Sequence, residues 1–589
     1  MEQLTAILAA HLHSTYHIES VENLIQWQET RPEFEGDLTL VVFPFLKVIK
    51  KSPEQLGQEF GQLFLDHAPS VLAFNVVKGF LNLTIASEEF VHTLQQLSFS
   101  DLPKTGKKVV VEYCSPNTNK PLHLGHVRNN LLGFSVANLH QSIGSDVVKV
   151  QVINDRGIHI CKSMLAWQKF GNGETPKSSR MKGDHLVGKF YVAYDQEFKR
   201  QVKELLEKGL TQEEAEAKAP ILLEAREMLQ KWEQGDVEVM DLWKTMNEWV
   251  FKGFEATNQR MGVSFDKNYY ESQTYLLGKK YVDFGLEKGV FYRKDDGSVW
   301  IDLTADGLDE KLVLRKDGTS VYITQDIGTA LERFEDFHMD SMIYTVGNEQ
   351  DYHFKVLFKI LEKLGFEWAK NCFHLSYGMI ELPTGKMKSR EGTVVDADDL
   401  MQEMFEVAKE RTSELGKIDG LSEKESHDLF EMIGLGGLKY FLLKVDPKKK
   451  MVFNPEESID TQGNTATFIQ YVHARIKSIL RKADLEGLTT RYDGEKLELE
   501  SSEKELVKKL NQFTSVRMEA ATQNNPGHLC NYVYDLAKTY NKFYTECPIF
   551  KQPSPDPQTV VFRLWLNQKT ADCLKYATGL LGIGVPEKM

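Results

Sequence analysis

The feature that most constrains this fold is a glycine flanked by two histidines, set between a mostly apolar run and a helical run. Residues 109–113 predict a buried strand, and residues 131–137 predict a helix. His123, Gly125 and His126 lie between them. A helix N-terminus that follows a strand offers free N–H groups and a partial positive charge, which favour phosphate. Gly125 has no Cβ and lets a nucleotide approach the backbone, and the imidazoles can donate hydrogen bonds to it.

A second segment, far along the chain, supplies two lysines. Residues 386–390, which we call the lysine segment, follow a strand-like run at 372–380 and a Pro-Thr-Gly turn. Lys386 and Lys388 are mobile point charges suited to a leaving pyrophosphate. Taken alone, a lysine cluster is more often a solvated surface loop. The histidine segment, residues 123–126, could likewise be an ordinary helix cap. Together and in this order, the two segments predict a site that polarises the phosphates of ATP.

The two segments resemble the two signatures of class I aminoacyl-tRNA synthetases. Residues 115–126 resemble the extended first signature of the arginyl-tRNA synthetases. Similar segments recur along essentially the whole chain, at residues 322–328, 350–353, 463–466, 470–475 and 580–586. The resemblance implies an α/β protein with a Rossmann-like parallel-sheet catalytic domain, a small α+β N-terminal domain and an all-helical C-terminal anticodon-binding domain.

The same resemblance implies an arginine–tRNA ligase. Such an enzyme activates L-arginine with ATP to arginyl-adenylate and transfers the arginyl group to the 3′-terminal ribose of tRNA-Arg, releasing pyrophosphate and AMP. Members of the family typically need tRNA present before they form the adenylate. Arginine, ATP with Mg²⁺, and tRNA-Arg are therefore the expected ligands, and the family implies a monomer.

The phosphate-binding residues are carried over from the two signatures. His123, His126, Lys386 and Lys388 are the expected catalytic residues. The ATP-binding set adds three residues, Gly125, Lys120 and Met387. The lysine segment is one residue shorter than the usual Lys-Met-Ser-Lys-Ser form. Which lysine does the work of the second lysine is therefore open, and Lys120 is a candidate.

The arginine-binding residues follow from the same match. A planar guanidinium calls for carboxylates that accept two parallel hydrogen bonds. We expect Tyr322 to pack on the guanidinium, Asp326 to bind it, and Glu271 to be a second acidic contact. A turn at residues 317–318 is expected to lead into a strand that delivers Tyr322, with Asp326 at the start of a helix. Alone, Asp326 could equally be a helix cap.

Residues near the first signature are expected to hold the backbone groups of the amino acid. The resemblance assigns Ser115, Asn117 and Gln350 to the α-amino and α-carboxylate groups, with Glu112 nearby. Without the resemblance, Gln350 could equally be a surface glutamine with no role in binding. Residues 154–157 replace a Gly-Asp-Trp-Gly sequence found in many relatives, at the rim of the same pocket.

Contacts with tRNA are expected at both ends of the chain. Phe43 and Phe45 are candidates for stacking on bases in the N-terminal domain. Candidates in the C-terminal domain are Tyr471, Arg475, Tyr532 and Tyr540. For any one of these aromatic residues, packing in the core is the alternative.

Patterning divides the chain into four segments. A Pro- and Gly-containing linker at 101–106 ends the first, and alternating strands and helices after it predict a parallel sheet. A mostly helical insertion at about 171–262 takes the place of the β-rich editing insert of other synthetases. The segments are 1–104 (N-terminal, tRNA-contacting), 105–395 (catalytic), 396–461 (helical connecting region) and 462–589 (anticodon-binding).

Composition sets outer limits on function. Of 589 residues, 41% are hydrophobic and 26% charged, without an apolar run long enough to cross a membrane. An acidic N-terminus, unlike a secretory signal, predicts a cytoplasmic protein. The net charge of −14 argues against broad nonspecific binding to nucleic acid, although local basic faces are possible. The six cysteines lack the close spacing of a zinc site, so no zinc is expected.

Two other functions remain open from the sequence. One is a small-molecule adenylyltransferase that uses the same nucleotide fold without RNA, which the long helical C-terminal part disfavours. The other is an inactive synthetase-like protein that only binds tRNA, which the intact phosphate motifs disfavour. The sequence leaves open which tRNA bases are read, the oligomeric state and the motion of the lysine segment.

Overall fold

The chain forms two compact units. The computed structural model describes residues 1–18, 24–31, 33–275, 277–381, 395–414, 420–492, 494, 498–550 and 555–589. The smaller unit consists of Met1–Ser98, Ala483–Gln512 and Thr539–Thr570, and the larger of Phe99–Lys482, Phe513–Lys538 and Ala571–Met589. Residues of the predicted segment 462–589 belong to both units, and the four-segment division itself stays a prediction. The lysine segment, with Lys386, Met387 and Lys388, lies outside the described residues.

The first hundred residues form a four-stranded antiparallel sheet with helices. The elements are α1 (Glu2–Tyr16), β1 (Trp27–Glu29), β2 (Leu38–Val41), α2 (Pro53–His67), β3 (Val71–Val77), β4 (Phe80–Ile85) and α3 (Ser87–Gln96), with a 3₁₀ turn at Phe43–Lys47. The strand order is β1-β2-β4-β3. Ser52 begins α2 by accepting from Gln55 N–H in a reciprocal capping box, with Pro53 at the first helical position. The small α+β domain is therefore confirmed.

The larger unit contains the parallel sheet and the helical insertion. Its first elements are β5 (Lys108–Glu112), α4 (Leu124–Ser142), β6 (Asp146–Ile153), α5 (Ile158–Phe170), α6 (Pro176–Ser179), α7 (Gly183–Glu207), α8 (Gln212–Lys218), α9 (Pro220–Glu233), α10 (Val237–Met261) and β7 (Lys267–Tyr270). From α6 to α10 the insertion is helical, as predicted.

The second half of the catalytic region completes the sheet. Its elements are α11 (Glu271–Thr274), α12 (Gly278–Glu287), β8 (Tyr292–Arg293), β9 (Val299–Ile301), β10 (Lys311–Leu314), α13 (Tyr322–Phe337), β11 (Ser341–Gly347), α14 (Asp351–Lys363), β12 (Cys372–Tyr377) and β13 (Ile380–Glu381). Short 3₁₀ turns cover Thr304–Asp306, Asn348–Gln350 and Glu367–Asn371. The five-stranded order is β12-β11-β5-β6-β7, and each neighbouring pair is parallel.

The order of the strands places a ligand crevice beside β5. The chain leaves β5 through α4 to reach β6 on one side, and β11 pairs with β5 on the other. Ligands of open α/β sheets bind at such a reversal, outside the carboxyl ends of the strands. Val109, Val110 and Val111 are fully buried in β5, as expected for a strand covered on both faces. The Rossmann-like fold class is confirmed.

The rest of the chain is mostly helical. Its elements are α15 (Ala397–Glu414), α16 (Glu423–Leu443), β14 (Met451–Val452), α17 (Pro455–Ser458), α18 (Ala466–Leu485), α19 (Ser501–Asn511), α20 (Phe513–Thr522), α21 (Pro526–Glu546) and α22 (Pro557–Leu580). The strand β14 pairs in parallel with β13. No helix in the described ranges is both long and apolar enough to cross a membrane.

Three of the predicted tRNA contacts are core residues. The side chain of Phe45 is fully buried and packs edge-on against Phe60, with ring centroids 5.3 Å apart. Tyr540 is also fully buried and donates to Asn567 Oδ1 at 2.6 Å. The hydroxyl of the buried Tyr532 lies 3.6 Å from Cys573 Sγ. The predictions that Phe45, Tyr532 and Tyr540 meet bases are wrong, because burial takes their rings out of reach.

The segment after residue 314 also differs from the prediction. The turn at 317–318 is present, since Gly318 N–H donates to Arg315 O at 2.9 Å. After it, however, Ser320 forms a single bridge to Leu314, and the helix begins at Tyr322. The expected strand before Tyr322 is therefore wrong, because the chain enters α13 two residues after the bridge. The antiparallel sheet β10-β9-β8 was not predicted.

A buried arginine joins the helix after the histidine segment to two distant loops. Arg128 on α4 is 1% exposed and donates to Gly378 O at 2.6 Å and to Pro447 O and Lys449 O at 3.1 Å. Burial lowers its pKa to about 10, so the guanidinium is charged at neutral pH. Hydrogen bonds from a charged donor stabilise by about 1.5–3 kcal/mol each.

We predict that Arg128→Met lowers the free energy of unfolding of the larger unit by about 3 kcal/mol or more, because three carbonyl acceptors lose a charged donor. Urea denaturation followed by circular dichroism measures the change. The control is Arg200→Met, whose wild-type side chain is 56% exposed on α7, with an expected change of about 0.5 kcal/mol or less. An equal effect of the two substitutions would contradict the prediction.

Candidate active site

The histidine segment forms the cap of α4. The side chain of His123 is the N-cap, and its Nδ1 accepts from Gly125 N–H at 3.1 Å. The Nδ1 of His126 accepts in turn from His123 N–H at 3.2 Å. The two rings lie close together, with centroids 3.9 Å apart. The backbone N–H groups at this terminus therefore fix the orientation of both imidazoles.

These hydrogen bonds, together with burial, define the protonation of the two rings. Burial, with the nearby charge of Lys120, lowers the pKa of His123 to about 4. Burial, with His123 and Lys120, lowers the pKa of His126 well below its usual value. Both rings are therefore neutral at pH 7. Because each Nδ1 accepts a backbone hydrogen bond, the proton is on Nε2, and each ring presents one neutral N–H donor.

The glycine between the histidines is required by its neighbour. A Cβ on Gly125 would lie 2.9 Å from Cε1 of His123, closer than normal van der Waals contact. The glycine therefore makes room for the His123 ring that caps the helix. Close approach of a nucleotide to the Gly125 backbone stays a prediction.

The chain that follows the lysine segment returns to the histidine segment. Leu124 N–H donates to Val395 O, and Ala397 N–H donates to Leu122 O, both at 2.9 Å. Between these bonds, His123 and Asp396 form an isolated antiparallel bridge. The described chain from residue 395, five positions after the end of the lysine segment in the sequence, is therefore fixed beside the histidine segment.

A buried ion pair lies at the carboxyl end of β5. Glu112 is 7% exposed and forms a salt bridge with Arg333 of α13, and its other oxygen accepts from the Ser115 hydroxyl at 3.2 Å. The Arg333 guanidinium lies 5.2 Å from the ring centroid of Tyr269 and 5.7 Å from that of Tyr344. Sequence reasoning did not find Arg333, because nothing local marks an arginine in a helix as the partner of a distant strand residue.

Polar residues beyond β5 are exposed to the crevice. Ser115 and Asn117 are both exposed. Asn117 is held through its backbone by an isolated bridge to Asn154, which follows β6. Gln350 is exposed in the 3₁₀ turn that follows β11. Ser115 and Asn117 therefore follow β5 and Gln350 follows β11, so all three lie beyond the carboxyl ends of two neighbouring parallel strands.

The pKa of Glu271 depends on burial and on the charged residues around it. Burial raises the pKa of Glu271, Arg156 opposes the shift, and the charges of Asp155 and Asp326 add to it. Asp326 on α13 is bonded through Oδ2 to His353 Nε2 at 2.6 Å. The contribution of Asp326 to this shift means that the negative charge of Asp326 acts on Glu271. His353 lies in a segment used for the resemblance, but the sequence did not indicate its contact with Asp326.

Supporting residues fix the neighbourhood of these carboxylates. Asp155 is 2% exposed and accepts from Ser272 N–H at 2.8 Å and from its hydroxyl at 2.7 Å. Arg156 stacks on Tyr275, 3.8 Å from its ring centroid. Tyr322, at the first position of α13, is 80% exposed. Its ring is therefore at the surface from which a ligand would approach.

The remaining candidates for tRNA contact are partly exposed. Phe43 is 43% exposed and lies edge-on to Phe80. On α18, the Arg475 guanidinium lies 4.8 Å from the ring centroid of Tyr471. An arginine and a tyrosine paired in this way present a cation and an aromatic ring together, both of which bind unpaired bases.

Comparison with known proteins gives a consistent result. The family model "tRNA synthetases class I (R), catalytic domain" matches residues 92–454, and the model "DALR anticodon binding domain" matches residues 469–589. The chain is 55% identical to the arginine–tRNA ligase of Bacteroides thetaiotaomicron over 100% of this chain and 99% of that protein. It is 56% identical to the arginine–tRNA ligase of Phocaeicola vulgatus, with the same coverage.

Solved structures show the same fold. The arginyl-tRNA synthetase of Thermus thermophilus superimposes with a TM-score of 0.82 at 23% identity, covering all of both chains. That of Plasmodium falciparum gives a TM-score of 0.77 at 17% identity, covering 100% of this chain and 99% of the other.

The neutral state of the two histidines has a consequence for acid stability. The pKa values of His123 and His126 are lowered in the native state. Below pH 6.5 these two histidines therefore bind protons in the unfolded chain but stay neutral in the native protein, which favours unfolding. Their contribution to stability is fully present above pH 6.5 and is lost as the pH falls toward 4. We predict that His126→Asn loses less stability than the wild type between pH 6.5 and 5, with a slope shallower by up to about 1.4 kcal/mol per pH unit.

Urea denaturation of the larger unit at a series of pH values measures this slope. The matched control is His338→Asn, at an exposed position of the same unit whose left-handed backbone, with φ of 47°, tolerates asparagine. The control is expected to keep the wild-type slope. Equal slopes for wild type and His126→Asn would mean that His126 accepts a proton in the native state.

Proposed function

The chain belongs to the arginyl-tRNA synthetases, and from that premise we propose how its residues carry out the arginine–tRNA ligase reaction. The enzyme activates L-arginine with ATP and transfers the arginyl group to tRNA-Arg. The observation that supports the assignment of residues is the cap of α4, where backbone N–H groups fix the rings of His123 and His126, together with the carboxylates Glu271, directly after β7, and Asp326, bonded to His353.

The first step forms the adenylate. The carboxylate oxygen of arginine attacks the α-phosphorus of ATP, the bond to the bridging oxygen of the β-phosphate breaks, and pyrophosphate leaves with that electron pair. The Nε2–H groups of His123 and His126 would donate to phosphate oxygens as negative charge moves onto the leaving group. In the second step a 3′-terminal ribose hydroxyl attacks the arginyl carbonyl, and AMP leaves. No protein nucleophile is required, because positioning and charge stabilisation are sufficient.

Three lysines are proposed for the charge of the leaving pyrophosphate. Lys386 and Lys388, with Met387 between them, keep the roles that the resemblance gives them. Lys120 is proposed as the additional cation, and its effect on the pKa of both His123 and His126 supports a position near the phosphates.

Mg²⁺ is proposed to enter with ATP as part of the substrate. Among the described residues, three side chains are close enough to hold an ion together, namely Asp184, His185 and Asp398. The ammonium of Lys182 already contacts both of these carboxylates, so this cluster does not fit a divalent cation. Mg²⁺ would therefore be held by phosphate oxygens and water, as is usual for this ion when it is bound to nucleotides.

Arginine is proposed to bind with its side chain between acidic groups. Asp326, held through one oxygen by His353, would accept from the guanidinium with the other, and Glu271 would be the second acceptor. Tyr322 would pack on the guanidinium plane after a rotation of its exposed ring. The α-amino and α-carboxylate groups would bind Ser115, Asn117 and Gln350. Glu112, already paired with Arg333, would orient Ser115 by accepting a hydrogen bond from its hydroxyl.

Recognition of tRNA is proposed at the exposed members of the predicted set. Phe43 would stack on a base at the corner of the tRNA, and Tyr471 with Arg475 would contact the anticodon stem-loop. The four predicted segments would then serve tRNA contact, catalysis, connection and anticodon binding in turn. We further propose that the enzyme acts as a monomer in the cytoplasm, where protein synthesis uses its product.

Pyrophosphate exchange tests the proposed activity and distinguishes it from the two alternative functions that the sequence leaves open. We expect exchange that requires arginine and is strongly stimulated by tRNA-Arg. Exchange that is independent of both would favour an adenylyltransferase that acts without RNA. No exchange under any condition, in a protein that binds tRNA, would favour an inactive synthetase-like protein.

We predict that Asp326→Asn lowers kcat/KM for arginine about 100-fold, because a charged hydrogen bond of about 1.5–3 kcal/mol to the guanidinium is lost. Its KM for ATP is expected to stay within threefold of the wild type. The matched control is Glu335→Gln on the same helix, whose wild-type side chain is 61% exposed and for which both constants should be unchanged. A larger effect of Asp326→Asn on ATP than on arginine would contradict the assignment.

We also predict weak activation of citrulline, the uncharged isostere of arginine. A site built from carboxylates rejects a ligand that leaves them unpaired by factors of up to about 10⁴ to 10⁵. Exchange with citrulline at saturating ATP and tRNA measures the ratio of kcat/KM values. A ratio within tenfold of arginine would mean that Asp326 and Glu271 do not bind the side chain as proposed.

A further inference from the structure

A cluster of charged residues outside the proposed site joins the helical insertion to the start of α15. Lys182 and His185 belong to the beginning of α7, and Asp398 belongs to the first turn of α15. Lys182 Nζ bonds to Asp398 Oδ2, and His185 Nε2 lies 3.1 Å from the same oxygen. Thr257 of α10 donates its hydroxyl to the other oxygen, Asp398 Oδ1, at 3.0 Å. Side chains of α7 and α10 therefore converge on one carboxylate of α15.

Two further carboxylates complete the cluster. Asp184 is fully buried, and its Oδ2 lies 3.1 Å from Lys182 Nζ. Asp396 Oδ2 lies 3.5 Å from His185 Nε2. Three carboxylates thus surround one ammonium and one imidazole in a partly buried place, where the side chains of Lys182 and Asp398 are each 25% exposed. The positive charge of Lys182 offsets the repulsion among these three carboxylates.

The cluster is connected to the histidine segment through the backbone of Asp396. The Oδ1 of Asp396 accepts from Asp398 N–H at 2.7 Å and from Asp399 N–H at 3.3 Å, which caps α15. The backbone of the same residue forms the bridge to His123, between the bonds Leu124 N–H to Val395 O and Ala397 N–H to Leu122 O. A side chain that fixes Asp396 and Asp398 therefore also fixes the strand-like contact beside His123.

We propose that Lys182 and His185 form a clasp on Asp396 and Asp398 that positions the histidine segment for ATP. Lys182 and His185 are positioning residues in this view, because they act through the 395–397 contact and do not touch the substrate. Asp398 supports the same interpretation: although burial opposes it, hydrogen bonds from His185 and Lys182 hold its pKa far below the ordinary value. The acceptor of the clasp is thus charged at every physiological pH.

Loss of the lysine has a defined structural consequence. In Lys182→Met, Asp184, Asp396 and Asp398 face one another without the ammonium, and like charges at this separation repel. The repulsion acts on the first turn of α15 and on the bridge to His123. In the double variant Lys182→Met/Asp398→Asn one of the three negative charges is removed, so part of the effect should be recovered.

Hydrogen–deuterium exchange tests the clasp without reference to activity. In Lys182→Met we expect at least tenfold faster exchange in peptides that contain the Leu124 and Ala397 amides, and unchanged exchange in peptides from β6 and α9. The matched control is Lys189→Met on the same helix, which removes a lysine that bonds to Glu174 Oε2 at 2.6 Å and should leave the two amides protected. Wild-type protection of these amides in Lys182→Met would overturn the proposal.

Kinetics test whether the clasp matters for ATP, and this part rests on the proposed role of His123. In pyrophosphate exchange we expect Lys182→Met to raise KM for ATP about tenfold with KM for arginine within twofold. The KM for ATP of the double variant should be at least threefold lower than that of Lys182→Met. The KM values of Lys189→Met should match those of the wild type. A uniform fall in kcat with both KM values unchanged, or a parallel rise in both, would indicate a merely structural role and overturn the positioning proposal.

The two measurements separate failure of the clasp from failure of the proposed function. If the wild type shows no arginine-dependent exchange, the proposed function fails, while amide protection still decides whether the clasp exists. If the wild type is active and Lys182→Met resembles it in both measurements, the clasp fails and the function stands.

Discussion

The pairing of β5 with a parallel strand on each side is the constraint on which the rest of the site depends. The register Glu112 with Val150 on one side and with Tyr344 on the other brings three strands to the same edge. Parallel strands carry their chemistry at their carboxyl ends, so Ser115, Asn117 and the histidine segment follow from this register. Asn129 of α4 reinforces it, accepting from Cys114 N–H at 2.6 Å and donating to Thr345 O at 2.8 Å.

Buried charge is the second determinant, and each instance is compensated by a residue distant in sequence. The buried Glu112 pairs with Arg333, the buried Arg128 donates to three carbonyl oxygens, and the partly buried Asp398 pairs with Lys182. A buried charge without a partner costs several kcal/mol, so these contacts are strongly specified even though a buried ion pair adds little net stability. Their value here is positional, because each one joins residues that lie far apart in the sequence.

The limits of prediction from sequence follow from the same fact. The strand, the cap at His123 and helix α4 are local patterns, and they were predictable because strand, turn and helix signals lie within about forty residues. Arg333, His353 and Lys182 could not be found in this way, because their partners depend on the tertiary fold. The turn at residues 317–318 predicts a strand before Tyr322, but after one bridge at Ser320 the chain enters α13 instead. Phe45, Tyr532 and Tyr540 show that aromatic spacing alone does not separate a stacking surface from a core.

Because His123 and His126 are neutral, they can supply hydrogen-bond donors to the phosphates but not positive charge. Neutral Nε2–H donors, fixed by backbone N–H groups on their other side, interact weakly with a shared charge and more strongly as the leaving group gains charge. Permanent positive charge is then best supplied by residues that can follow the pyrophosphate, which is the chemistry of lysine. In the proposed mechanism the two segments would differ in physical type, with oriented neutral donors at the helix cap and the cations Lys386 and Lys388 in the lysine segment.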